Sequence, residues 1–161
     1  MPLYLISHKD SISPAQRDEL AAAITKTHSD LFTTPSTFVN VKFEDVSSTP
    51  YYVGGKAKTV NAIHAHVRSG PSRPRSSYNK LCSELRSAWE EIFSEKSIQL
   101  DLIFILGDIV AGNKWGFNMP EAGKDEEWAK ENFGEFERRA ENGDEEFKDL
   151  VGELRTRGLG V

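Results

Sequence analysis

A strand–helix–strand pattern that occurs twice, offset by roughly 60 residues, constrains the fold of this chain more than any other feature. In the first copy an apolar strand ends near His8. Ser13 and Pro14 then start a helix, a capping hydroxyl followed by proline at the first helical position. Leu20, Ala23, Ile24, Thr27, His28 and Leu31 share one face of that helix. Thr33-Thr34-Pro35-Ser36 stops it, and Phe38–Glu44 alternates with Val39, Val41 and Phe43 on one side. In the second copy Thr59–Arg68 alternates, with Ile63, Ala65 and Val67 opposite His64, His66 and Arg68. A helix is predicted over about Ser76–Glu95, with Leu81, Leu85, Ala88, Trp89, Ile92 and Phe93 as its stripe. Leu100–Leu106 is the strongest strand.

The prediction is an α+β fold. Two fused β-α-β units, about 2–46 and 59–110, form a four-stranded sheet with two helices on one face, followed by a C-terminal helical extension. The connector Ser47–Lys58 holds a short strand at Tyr51–Val53 and a turn at Gly54-Gly55. Residues 109–119 are expected to be irregular, and a helix to run from about Asp125 to Ala140 into a charged tail. The expected division is a domain over 1–128 and an extension over 129–161. Two helices cover only one sheet face. The unbroken apolar run Leu102–Leu106 predicts burial of the other face as well, through a symmetric oligomer.

Composition excludes several classes. Apolar (38%) and charged (28%) fractions are those of a soluble globular chain. No stretch is long and apolar enough for a membrane span. A single cysteine, Cys82, forms no internal disulfide, so a reducing, cytoplasmic setting is expected. The net charge is −5; residues 121–161 carry 13 acidic and 7 basic groups, leaving the body near neutral. A nucleic-acid partner is not expected, because no basic face is evident.

The candidate chemistry is sparse. Pro2 opens the first strand, where proline is tolerated as processing sequence. Removal of Met1 would instead expose it as a secondary amine, a group that titrates near neutrality. His64 and His66 lack a third metal ligand, Cys82 reads as a helical core thiol, and no glycine-rich phosphate loop occurs. Neither a metal nor a cofactor is expected. On its face of the first helix His28 reads as a satisfied core histidine. Arg68, Arg73 and Arg75 form a basic loop that is either solvated or a clamp for a carboxylate.

In combination these pieces resemble the tautomerase superfamily, and most closely its cis-3-chloroacrylic acid dehalogenase branch. The resemblance spans about residues 2–128. It rests on Pro2, the stretch Ala23-Ile24-Thr25-Lys26-Thr27-His28, Val67-Arg68-Ser69-Gly70 followed by arginine, and Gly123-x-x-x-x-Trp128. It implies a homotrimer with Pro2 as the catalytic amine and His28 holding substrate or water. It also implies Arg68 as the first carboxylate-binding arginine and Arg73 or Arg75 as the second. Two positions depart from the family: Ile105 stands where it has a tyrosine, and Lys114, beside Trp115, where it has a water-activating glutamate. Lys114 and Trp115 join the substrate-binding candidates. A cation there favours a neutral proline amine, hence a general base. The implied activity is keto–enol tautomerisation of a small 2-oxo acid; dehalogenation or hydration, 3-oxo acid decarboxylation and a non-enzymatic oligomeric binding protein are the alternatives.

Overall fold

The structure is a computed structural model that describes residues 1–94 and 98–159. The first unit comprises β1 (Leu3–His8), α1 (Pro14–Phe32) and β2 (Asn40–Asp45), and the second β5 (Ala62–His66), α2 (Arg75–Ile92) and β6 (Leu102–Leu106). The sheet order is β2-β1-β5-β6. Strands within each unit are parallel, and β1 and β5 join the units antiparallel, so Tyr4 lies opposite Ala65 and Ile6 opposite Ile63. The duplicated pattern predicts two β-α-β units in one four-stranded sheet, and the structure has them; the strand order and the antiparallel join come from the structure.

Local chemistry accounts for the elements. Ser13 and Gln16 form a reciprocal capping box with Pro14 at the first position of α1. The helix ends at Thr33 in the left-handed region. Tyr4, Ile6 and His8 alternate inward along β1. The core gathers Tyr4, Ile6, Leu20, Ile24, Ile63, Leu81, Leu85 and Trp89 between the sheet and both helices. The indole N–H of Trp89 donates to the Ile98 carbonyl at 2.9 Å, satisfying its polar atom inside that core. The opposite sheet face stays open in the single chain, with Phe104 half exposed. Along that face His64 packs on Phe104 and His66 pairs with Asp108 at 2.8 Å. Cys82 is half-buried rather than a core thiol.

Two local expectations change, at Phe38 and at residues 109–119, and two are met with added detail. Strand β2 begins at Asn40 rather than Phe38, because Pro35 leads into a 3-10 turn over Ser36–Phe38 that turns Phe38 inward. The short strand Tyr51–Val53 (β3) pairs across Gly54-Gly55 with Lys56–Lys58 (β4). The stretch expected to be irregular holds a hairpin of β7 (Asn113–Lys114) and β8 (Phe117–Asn118). The expected helical extension consists of two helices: after α3 (Asp125–Glu141) comes α4 (Glu145–Arg157). Its apolar residues Phe147, Leu150, Val151 and Leu154 fall on one face despite a polar average, and they bury against Phe136, Ala129 and Phe38 as a second core. The predicted end of α2 at Glu95 lies outside the described residues. Among the described residues no helix is long and apolar enough to cross a membrane.

Candidate active site

The start of β1, the end of β5 and the hairpin β7–β8 converge at one end of the sheet. Pro2 is buried, and its carbonyl accepts from both the backbone N–H and the side-chain amide of Asn40, each at 3.1 Å. The Met1 amino group lies 3.2 Å from the Met119 sulfur. Gly112 lies against the same side chain, with an added Cβ standing 2.8 Å from the Met119 methyl, the far end of a flexible side chain. Met1, Lys114, Met119, Asp125 and Trp128 enclose a space of about 10 Å³, which admits roughly one water molecule. Met1 and Lys114 also border a wider, open depression of about 380 Å³ that Pro2 lines. Met1, Lys114 and Met119 therefore line both spaces.

Electrostatics follow from this crowding. Burial pushes the Met1 amine down to about 5. The positive charge of Arg68 adds to this, Asp125 opposes it, and Arg73 and Lys114 add further. The four charged groups are thus all within electrostatic reach of the chain start.

Arg68 stands two residues past the end of β5. Its Nη1 donates to the carbonyls of Pro120 (2.7 Å) and Glu121 (3.1 Å), and its Nη2 to Asp125 Oδ1 (2.5 Å). Arg73 Nη2 reaches Asp125 Oδ2 at 3.4 Å, Nη1 donates to the Arg68 carbonyl, and the guanidinium lies 4.5 Å from the Phe32 ring centre. Both arginines and Asp125 are buried. Arg75, the first residue of α2, is exposed and borders a separate groove with Tyr78, Cys82 and Ile105. The loop thus brings Arg73, and not Arg75, beside Arg68.

Lys114 is aimed by a tight turn. Trp115 and Gly116 both take positive φ, 58° and 91°, the backbone of a two-residue hairpin whose second position suits glycine. The Trp115 ring packs on Phe38 and Phe147 and so anchors the turn in the second core, without bordering the enclosed space. Lys114 Nζ donates to the Thr37 carbonyl and lies 4.2 Å from the Trp115 ring centre. Burial holds its pKa below the ordinary lysine value, with Glu146 opposing.

His28 is 1% exposed, and its Nδ1 shares a hydrogen bond of 2.7 Å with the Tyr4 hydroxyl. Its ring packs against Tyr4 and Phe32. Burial drives its pKa to about 3, helped by the charges of Arg73, the chain amino group and Arg68. The imidazole is neutral at neutral pH and borders neither of the two spaces at the chain start.

Sequence reasoning missed Asp125. It was legible only as an acidic residue at a helix start, yet two buried arginines require a counter-charge, and Asp125 supplies it with a further contact from the Thr34 hydroxyl at 3.4 Å. Trp128, read as a motif residue, lines the pocket.

Comparisons with known proteins agree with this arrangement. Residues 1–133 match the sequence model of the family described as "Putative oxalocrotonate tautomerase enzyme". Among solved structures, the chain is similar to N1, a member of the cis-3-chloroacrylic acid dehalogenase (cis-CaaD) family, at 24% identity and a TM-score of 0.64, covering 79% of this chain and 90% of that one. RhCC from Rhodococcus jostii RHA1 is similar at 23% identity and a TM-score of 0.58, covering 81% and 96%. The fused 4-OT F6, an asymmetric trimer, is similar at 13% identity and a TM-score of 0.57, covering 71% and 94%. At these identities the likeness is one of fold. A comparison with curated protein sequences gave no match. The family match over most of the chain, on the doubled β-α-β sheet that its sequence encodes, places this protein in the oxalocrotonate tautomerase-like family of the tautomerase superfamily.

Proposed function

We propose that this protein is a cofactor-independent keto–enol tautomerase of a small 2-oxo acid, working through the secondary amine of Pro2 after removal of Met1. The observation that carries the reading is the position of Met1. Met1 lines both spaces together with Lys114 and Met119, and Pro2 lines the wider one, so the departure of Met1 opens the chain start to both beside the Pro2 nitrogen. Arg68, Arg73 and Lys114 outnumber Asp125 there, so the cavity attracts a carboxylate and disfavours an ammonium.

A neutral amine is a base. In ketonisation the Pro2 nitrogen takes the enol O–H proton. The C2–C3 π pair then takes a proton from the resulting ammonium, the carbonyl forms at C2, and the amine is restored. The hydrogen bonds of Asn40 to the Pro2 carbonyl fix the direction of the amine. His28, closed off from both spaces, serves as a positioning residue that braces Tyr4 and Phe32 behind Arg73. The open sheet face around Phe104 serves as the subunit contact of a homotrimer, a reading supported by the similar trimeric fused 4-OT.

The test is proton exchange. In D₂O, one-dimensional NMR should show the C3 hydrogens of phenylpyruvate replaced by deuterium faster with the Met1-free protein than in buffer. Exchange at the buffer rate would contradict the proposal.

A further inference from the structure

We propose that Asp125 sets the binding polarity of the pocket: it caps Arg68 and Arg73 so that they do not bind substrate, and the substrate carboxylate goes to Lys114 instead. This rests on the reading of the pocket as an oxo-acid site and names the group that holds the acid.

The first ground is the donor inventory. Arg68 already donates to two carbonyls and a carboxylate, and Arg73 to a carbonyl and the same carboxylate, with Phe32 against its face. The second is position. Of these three side chains only Asp125 lines the enclosed space beside Met1, and neither arginine lines either space at the chain start. The third is tethering. Asp125 sits in the first turn of α3, where the helix dipole favours a negative charge. As part of the chain it competes at an effective concentration on the order of millimolar or more, which a free acid at lower concentration does not match.

Lys114 is the opposite case. It borders both spaces at the chain start, its ammonium has three donors, and the one acceptor it reaches is the Thr37 carbonyl. Among the described residues no carboxylate lies within ion-pair distance of it. Lys114 is thus the cation that lines the depression beside Pro2, its ammonium resting over the Trp115 and Phe38 rings.

The experiment is titration calorimetry of the Met1-free chain with phenylpyruvate, which reads binding without turnover. Wild type should bind one equivalent, and Lys114→Met should weaken binding at least tenfold. Adding Asp125→Asn to Lys114→Met should restore binding, because the arginine pair is then uncapped. Binding by Lys114→Met within twofold of wild type would overturn the proposal, as would failure of the folded double variant to regain affinity or no binding by wild type. If Asp125→Asn prevents folding, the Lys114→Met arm decides alone. Binding that follows this pattern in a protein that does not accelerate C3 exchange supports the carboxylate assignment and contradicts only the tautomerase reading.

Discussion

Tyr4 and His28 meet between β1 and α1 through a hydrogen bond of 2.7 Å, with both side chains closed off from water. The pair couples the strand that presents Pro2 to the helix that backs the arginine cluster. Burial raises the Tyr4 hydroxyl above its ordinary pKa and lowers His28, so both remain neutral across the physiological range.

Tyr4→Phe leaves a ring nitrogen of His28 unpaired in the core. The expected cost is about 1–3 kcal/mol, which lowers Tm by roughly 2–4 °C per kcal/mol in a chain of this size. Thermal unfolding followed by circular dichroism measures it, and an unchanged Tm would show that the bond contributes nothing.

His28 also sets an acid limit. Its folded pKa of about 3 lies below the unfolded value of 6.5, so between these values the unfolded chain binds the extra proton. Its contribution is complete above pH 6.5 and is lost as pH falls toward 3, at most about 1.4 kcal/mol per pH unit. Urea midpoints from pH 7 to 4 should fall more steeply for wild type than for His28→Gln. Parallel slopes would remove His28 as the cause.

The rate should follow the neutral amine. The burial and positive charges that lower the Met1 amine also act on a Pro2 amine at the chain start, so kcat/KM should have a limb that rises with pH, with its midpoint below that of an exposed proline amine. A rate that instead declines as pH rises would mean that the protonated amine acts as an acid.

The second core should support the pocket wall. Phe136 is fully buried and packs on Trp128, Phe117 and Phe147. Phe136→Ala should cost roughly 3–5 kcal/mol and shift tryptophan emission to the red as Trp128 loses its packing. Unchanged emission and stability would separate α3–α4 from the site.

The doubled pattern was readable because both units place apolar residues at the spacing of their own element: Tyr4 and Ile6 along β1, and Leu81, Leu85 and Trp89 along α2. Helix α4 was hidden because its stripe of Phe147, Leu150, Val151 and Leu154 is diluted by charged neighbours and buries only against other late elements. The β7–β8 hairpin was hidden for a different reason. Gly116 suits the turn, but Trp115 before it takes a positive φ held by its contacts with Phe38 and Phe147, and a tryptophan there is no turn signal. At the site, Pro2, Arg68 and Lys114 could be named only through the resemblance to the tautomerase superfamily, not from their positions in the chain. The partnership of Arg68 and Arg73 with Asp125 spans more than 50 residues and becomes visible only once α3 is docked.

The central claim is that a freed Pro2 amine moves the proton. Its most direct measurement is the ketonisation of phenylenolpyruvate by protein whose intact mass shows Met1 removed, compared with Pro2→Ala prepared in the same way. The account predicts a rate well above buffer for wild type and a fall of roughly 100-fold or more in the variant. A wild-type rate equal to buffer, or an unchanged rate in Pro2→Ala, would contradict it.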